Sequence, residues 1–403
     1  MTRYRTLIWL TVLLLVSALS CSKPKEFTVE QLRNPAASGS IAPNMTETPD
    51  GQVVLSWLEP VGDGLALRFA SRDGNNWAAA QTIVAGKSFG KYAEAPAWVL
   101  KLPSGPLVAV WAEELPTTEK WAGNFLYSAV SGDQGKTWSR PAIVHSDRTA
   151  SAEHSFASLA VLDDAHANIV WLDARDNMAK HKYRLMSARI SSSGSVDSEE
   201  TIDDDVCTCC PTALARTPGE LIAAYRDHSS QEIRDVYTVR KESGHWQSAR
   251  PVHTDGWHIN ACPVNGPALA SRGNEVVAAW YTGVSEGALR IAFSGDGGAT
   301  FGEPITIDSP SGSHKPMGRP ALTLLESGDA LVAWTRHQQD HGELVAARVR
   351  RKAAGSTTPL LVAAGGSQGL GYPRLQATAN GALLSWGGAG ETKEVSTAII
   401  TLR

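Results

Sequence analysis

Seven times along the chain a short apolar run ends in a large aromatic residue: Trp57, Trp111, Trp171, Tyr225, Trp280, Trp334 and Trp386 close VVLSW, LVAVW, NIVW, LIAAY, EVVAAW, ALVAW and ALLSW. Successive aromatics lie 54, 60, 54, 55, 54 and 52 positions apart. A strand-rich repeat near 50 residues cannot bury its apolar faces alone and must stack against copies of itself. Such units arrange radially, as the four-stranded blades of a propeller.

The flanking segments supply the other strands. One short strand precedes each aromatic run, as in NGPALAS at 265–271 and GRPALTL at 318–324. A third follows, as in LRFAS at 67–71, FLYSAVS at 125–131 and LRIAFS at 289–294. A fourth is seen in AAAQTIV at 78–84 and EPITI at 303–307. Six units are complete, and the seventh (YPRLQA, ALLSW, STAIITL) stops after three strands. FTVEQL at 27–32 reads as its missing strand, so residues 26–33 should close the ring and remove its open edges. The expectation is an all-β, seven-bladed propeller of antiparallel four-stranded blades, one domain over 26–403.

The turns between third and fourth strands carry a second pattern. Ser131, Asp133, Gly135, Thr137 and Trp138 form S-x-D-x-G-x-T-W, and Ser294, Asp296, Gly298, Thr300 and Phe301 repeat it with an aromatic exchange. Asp and Ser side chains suit a tight turn that glycine permits. This hairpin resembles the Asp box (BNR repeat) of the sialidase-like propeller superfamily, and the resemblance spans essentially 26–403. Sialidases of that superfamily have six blades, which makes six the alternative count here. The resemblance implies a structural role for Asp133 and Asp296, away from the working face.

Residues 1–20 read as a lipoprotein signal peptide. Arg3 and Arg5 precede an apolar run from Leu7 to Leu19, too short to span a bilayer comfortably. The run ends Ala18-Leu19-Ser20-Cys21, which resembles a bacterial lipobox with Cys21 as the lipidated residue. Residues 21–25 are then a tether, and Ser22 after the cysteine points to the outer membrane. The expected location is the bacterial cell envelope, lipid-anchored and facing the periplasm. With a net charge of −4 and no basic block, nucleic acid is excluded as a partner class. A glycan or another envelope protein fits better.

In a propeller, loops leading into first strands and loops leaving second strands share one face around the central channel, a favoured place for ligands. Here those loops carry Glu94, His258, Arg319, Tyr372 and Arg374, and Glu59, Glu113, Asp173, Arg226, Asp227 and Tyr281. They also carry Cys207, Cys209, Cys210 and Cys262, in VCTCCP and HINACPVNG at matching places of adjacent blades. Three chemistries suit four such cysteines: disulfides, a soft-metal site, or redox-active thiols. Disulfides are natural in an oxidising compartment, with Cys262 pairing more easily with one of the three than Cys209 with its neighbour Cys210. Alternatively, the thiolates with His258 would form a soft-metal site for copper or zinc. CCPTA at 209–213 approaches a sulfatase signature, but Ala213 stands where that signature needs arginine.

A sialidase grips the substrate carboxylate with three arginines, since guanidinium binds it bidentately, and adds a Tyr–Glu nucleophile pair and an acid/base carboxylate. The resemblance would place the first arginine on the first strand of blade 1, where this chain has Ile41-Ala42-Pro43-Asn44. Were the chain an enzyme, Arg226, Asp227, Arg319, Arg374, Tyr281 and Glu94 would be its catalytic candidates. The reading reached is a membrane-anchored binding or assembly propeller with a cysteine/histidine site at the channel mouth, and a sialidase-like exo-glycosidase as the alternative.

Overall fold

The computed structural model describes residues 27–90, 94–117, 123–175, 182–351, 355–356, 358–366, 370–387 and 394–403. The signal segment 1–20, Cys21 and the tether to residue 25 lie outside the described residues. No helix among the described residues is long and apolar enough to cross a membrane.

The strands form seven separate antiparallel sheets, so the six-bladed alternative does not hold. The inner strands, blade 1 to blade 7, are Ile41–Glu47, Trp98–Lys101, His154–Val161, Ala213–Arg216, Ala268–Arg272, His314–Leu324 and Arg374–Thr378. Beside them run Val53–Val61, Leu107–Glu114, His166–Asp173, Glu220–Arg226, Glu275–Thr282, Ala330–Gln338 and Gly381–Gly387. The seventh sheet is completed from the other end of the chain. Phe27–Leu32 pairs with Val395–Leu402, from Phe27 opposite Leu402 to Leu32 opposite Thr397.

The repeated aromatics explain why the sheets form a ring. Trp111 packs with Leu67 and Phe69 of blade 1, and Trp171 with Val108 and Val110 of blade 2. Tyr225 meets Val170 and Leu185, Trp280 meets Val236, and Trp334 meets Val277 and Ile291. Trp386 packs on Leu344 and Ala346, and Trp57 on Leu383 and Val395, which brings the circle back to blade 7. Every second-strand aromatic thus fills the seam to the preceding blade. Each such burial is worth roughly 4–6 kcal/mol as an upper bound from area removed from water.

The polar ends of six of these rings are also satisfied. Indole Nε1 donates to Glu59 from Trp57 at 2.9 Å, to Glu113 from Trp111 at 2.8 Å and to Asp173 from Trp171 at 2.8 Å. Trp280 donates to Asp255 and Trp334 to Asp308, both at 2.6 Å, while the Tyr225 hydroxyl reaches Asp203 at 2.5 Å. Glu59, Glu113 and Asp173, expected at the ligand rim, are therefore occupied as caps on core aromatics. A buried indole without an acceptor would carry the full desolvation penalty.

Both Asp boxes are built alike. Ser131 Oγ donates to Asp133 at 2.8 Å, and Asp133 accepts from the Thr137 amide and hydroxyl at 2.9 and 2.6 Å. Ser294, Asp296 and Thr300 repeat this at 2.6, 3.0 and 2.6 Å. These bonds hold the Asp133 carboxyl down to about 2, the Thr137 hydroxyl contributing most. Gly135 has φ +88° and lies against the Phe69 ring, so no larger residue fits there.

A candidate anion site at the channel mouth, with a thiol cluster beside it

The inner strands of all seven blades surround a channel of about 1000 Å³. At the end where those strands begin, its lining includes Glu94, Phe156, Arg319, Tyr372 and Arg374. The Arg319 guanidinium lies 4.8 Å from the Tyr372 ring centroid and that of Arg374 lies 6.0 Å from it, so one aromatic carries two cations. Glu94 is near enough for its charge to act on both Tyr372 and Arg374. Burial pushes the Arg374 guanidinium down to about 10, against the pull of Tyr372 and Glu94. Burial drives the Tyr372 phenol well above its ordinary value, and its hydroxyl donates to the Val264 carbonyl.

Arg319 reaches this position through a local irregularity. The pairing of its strand shifts between Gly318 and Ala321, and Arg319 has φ 55°. Such a bulge turns a side chain away from the regular alternation, and left-handed backbone at a non-glycine residue needs outside support. Asn265 supplies it, accepting from the Arg319 amide at 3.0 Å and donating to Met317 O at 2.7 Å. The inner strands of blades 1 and 3 carry similar shifts, with Ala42 at φ 51° and Phe156 at φ 55°. Alternation of apolar residues gave no sign of these bulges; the recurring proline after Ala42 and Arg319 was the available signal.

The remaining catalytic candidates are elsewhere. Arg226 is 1% exposed, and its guanidinium donates to Asn265 O at 3.0 and 2.8 Å, to Tyr281 O at 2.8 Å and to Arg234 O, over the Trp257 ring at 4.8 Å. It ties blades 4 and 5 together and has no face left for a ligand. Asp227 and Tyr281 do not line the channel. Asp227 sits near Asp203 and Asp205, and burial with these like charges pushes its carboxyl up to about 6. Tyr281 packs edge-on against Trp257 at 5.6 Å. Arg226 and Asp227, and Arg234 and Asp235, though adjacent in sequence, do not pair with each other. Asp235 holds the Gly256 and Trp257 amides at 2.8 and 3.0 Å, while Arg234 pairs with Glu232 at 3.0 Å.

A Tyr–Glu contact that the sequence reading missed does occur, Tyr183 Oη to Glu153 at 2.6 Å. Burial and the Glu153 charge raise the Tyr183 phenol far above its ordinary value, the reverse of an activated nucleophile. Neither residue lines the channel.

Beside the mouth lie the cysteines. Cys209 and Cys262 form a disulfide joining the loops that lead into blades 4 and 5, with Cα atoms 6.1 Å apart. Cys207 and Cys210 remain thiols, each 1% exposed. The four-thiolate set with His258 is thus not assembled: two sulfurs are bonded to each other, and His258 is exposed at the rim, outside the sulfur cluster. The sulfurs of Cys207, Cys209 and Cys210 nevertheless lie within 4.8 Å of one another. Arg234 Nη1 stands 3.6 Å from Cys207 Sγ. Burial opposes ionisation of Cys207, but hydrogen bonds from Cys210 and the Cys209 amide, with Arg226 and Arg234 nearby, bring it down to about 6. Cys210 is pushed up by burial and by Cys207.

Comparison with known proteins agrees with this architecture. Similar solved structures include a Dyadobacter fermentans protein of unknown function (15% identity, TM-score 0.52, covering 93% of this chain and 99% of that one). A family PL25 ulvan lyase solved bound to -[GlcA(1-4)Rha3S]- has 10% identity and a TM-score of 0.59, covering 91% and 95% of the two chains. The NanB sialidase of Streptococcus pneumoniae has 9% identity and a TM-score of 0.46, covering 92% and 69%. No curated protein matches the chain. The model of the BNR repeat-like domain matches residues 64–384. With its seven-bladed ring, paired Asp boxes and this match, the chain belongs to the BNR repeat-like domain family of sialidase-like β-propellers.

Proposed function

We propose that this protein is a saccharide-binding propeller of the bacterial envelope, tethered through Cys21 at the outer membrane and holding an acidic sugar at its channel mouth. The observation that carries the reading is the pair of guanidinium groups, Arg319 and Arg374, both set against the Tyr372 ring inside a concave site. Guanidinium suits carboxylate and sulfate, and an aromatic face suits the apolar side of a pyranose. The ulvan lyase of similar fold was solved with a glucuronate-containing saccharide, a ligand of this class. Binding is favoured over sialidase chemistry because, among the described residues, the mouth brings together two arginines and its tyrosine hydroxyl is engaged by Val264.

Calorimetric titration of the full chain with glucuronate- and sialate-terminated oligosaccharides, beside their neutral counterparts, tests this. Acidic ligands should bind preferentially, with affinity falling as salt rises. Arg319→Ala or Arg374→Ala should weaken binding roughly 10- to 100-fold, the worth of one charge-assisted hydrogen bond. Equal affinity for acidic and neutral sugars would sink the proposal. Release of new reducing ends or unsaturated products during the titration would replace binding with glycan cleavage.

A further inference from the structure

The sulfur cluster supports a second activity, independent of the saccharide reading. Cys207 and Cys210 are buried thiols, while the disulfide beside them ends in Cys262, which is exposed at the rim. The Cys209 sulfur lies within 4.8 Å of both thiols, so the buried and exposed pairs meet at one atom. Arg234 stands 3.6 Å from Cys207, and the positive charge of Arg226 also acts on it, the setting in which a thiolate forms and attacks. Nothing in holding a blade junction together requires two further thiols next to the bond that already does so.

We propose that the protein is a thiol–disulfide relay, in which the buried Cys207/Cys210 dithiol passes its reducing equivalents to the Cys209–Cys262 disulfide, which reaches the surface at Cys262. First, Cys207 Sγ loses its proton and attacks Cys209 Sγ. The Cys209–Cys262 bond breaks, and its electron pair leaves on Cys262, which takes up a proton at the rim. Next, Cys210 Sγ gives up its proton and attacks Cys207 Sγ; the Cys207–Cys209 bond breaks, and Cys209 takes the pair and a proton. One disulfide is present before and after, now between Cys207 and Cys210, and the exposed pair has become a dithiol. That dithiol can reduce an external disulfide by the same exchange: Cys262 attacks, Cys209 resolves the mixed disulfide, and two external thiols leave.

The test is to incubate the full chain, with Cys209–Cys262 bonded and Cys207 and Cys210 reduced, with a bulky water-soluble maleimide and no added reductant, quench with acid and map the cysteine peptides. Cys262 should become labelled over time, and the labelled chains should contain a Cys207–Cys210 disulfide. Cys207→Ser, which removes the attacking sulfur, should slow labelling of Cys262 by at least about tenfold. Cys210→Ser keeps the first step and should still label Cys262, with a Cys207–Cys209 link in its place. This second variant keeps the test decisive if Cys207→Ser does not fold. Wild-type chains that keep Cys262 unlabelled, or labelling at equal rate in Cys207→Ser, would overturn the relay. Isolation of the chain with four reduced cysteines and one bound copper or zinc would overturn it in favour of a soft-metal site.

Discussion

The carboxamide of Asn265, in the loop leading into blade 5, holds the backbone of Arg319 in blade 6: its Oδ1 accepts from the Arg319 amide at 3.0 Å. The same residue donates to Met317 O, and its carbonyl accepts from Arg226. A Cβ on Gly318, which has φ +81°, would run into this carboxamide. Asn265 therefore connects the buried arginine of blade 4 with the mouth arginine of blade 6. Asn265→Ala should cost about 2 kcal/mol by stranding buried backbone groups. It should also weaken acidic-saccharide binding more than it weakens overall stability predicts. Thermal melts and titrations on the one variant check both outcomes.

The indole caps make a sharper claim about stability. Asp308 accepts from Trp334 Nε1 at 2.6 Å and also meets His314 Nε2 at 2.7 Å. Asp308→Ala should lose roughly 2–3 kcal/mol, because a fully buried indole N–H is left without an acceptor. Asp308→Asn retains an acceptor oxygen and should lose less than half of that. Denaturant midpoints for the two variants would show the order; equal losses would mean the cap is unimportant.

Ring closure predicts a phenotype for truncation. Phe27 is 3% exposed and packs with the cluster that holds Ala398 and Ile400. Removing the strand Phe27–Leu32 would bare both that apolar surface and the edge of Val395–Leu402. A chain starting at Arg33 should melt earlier and self-associate, visible as dimers or larger species in size-exclusion chromatography with light scattering. A monomer with unchanged melting would contradict this account of closure.

Asp227 predicts a pH dependence. Its carboxyl titrates near 6 in the folded protein, above the ordinary aspartate value of about 4, since burial and Asp203 disfavour the charge. The folded state therefore holds its proton more tightly than the unfolded chain. The group costs no stability below about pH 4, and stability falls as pH rises through about 6. Asp227→Asn should abolish that loss, raising stability at pH 7.5 by roughly 1 kcal/mol after discounting for partial exposure, and leaving pH 4 unchanged. Melting temperatures of both proteins across this range decide it.

Much of the architecture was legible because its signals are local. Strand-length apolar runs, turn chemistry and the spacing of Trp57 to Trp386 each depend on residues close in sequence, and the blade count and the closing strand follow from counting them. The site was read less completely. Arg319, Arg374 and Glu94 do line the channel, yet Arg226 and Tyr281, assigned to the same face of the ring, do not. Loop position says on which face a residue lies. It does not say whether the side chain points toward the axis, between blades or back at a carbonyl.

The amino-acid sequence by itself determined the repeat, the hairpins and the adjacency of the two cysteine loops, since these rest on period and propensity over a few residues. Only the tertiary structure decided which sulfurs bond, that Arg226 is spent on backbone carbonyls, and that Glu59, Glu113 and Asp173 cap indoles. It also decided that a bulge turns Arg319 toward Tyr372. The physical reason is common to all four. Each outcome is a competition among side chains for acceptors and space at the seams between blades, and the winner depends on register and ring curvature to within an ångström.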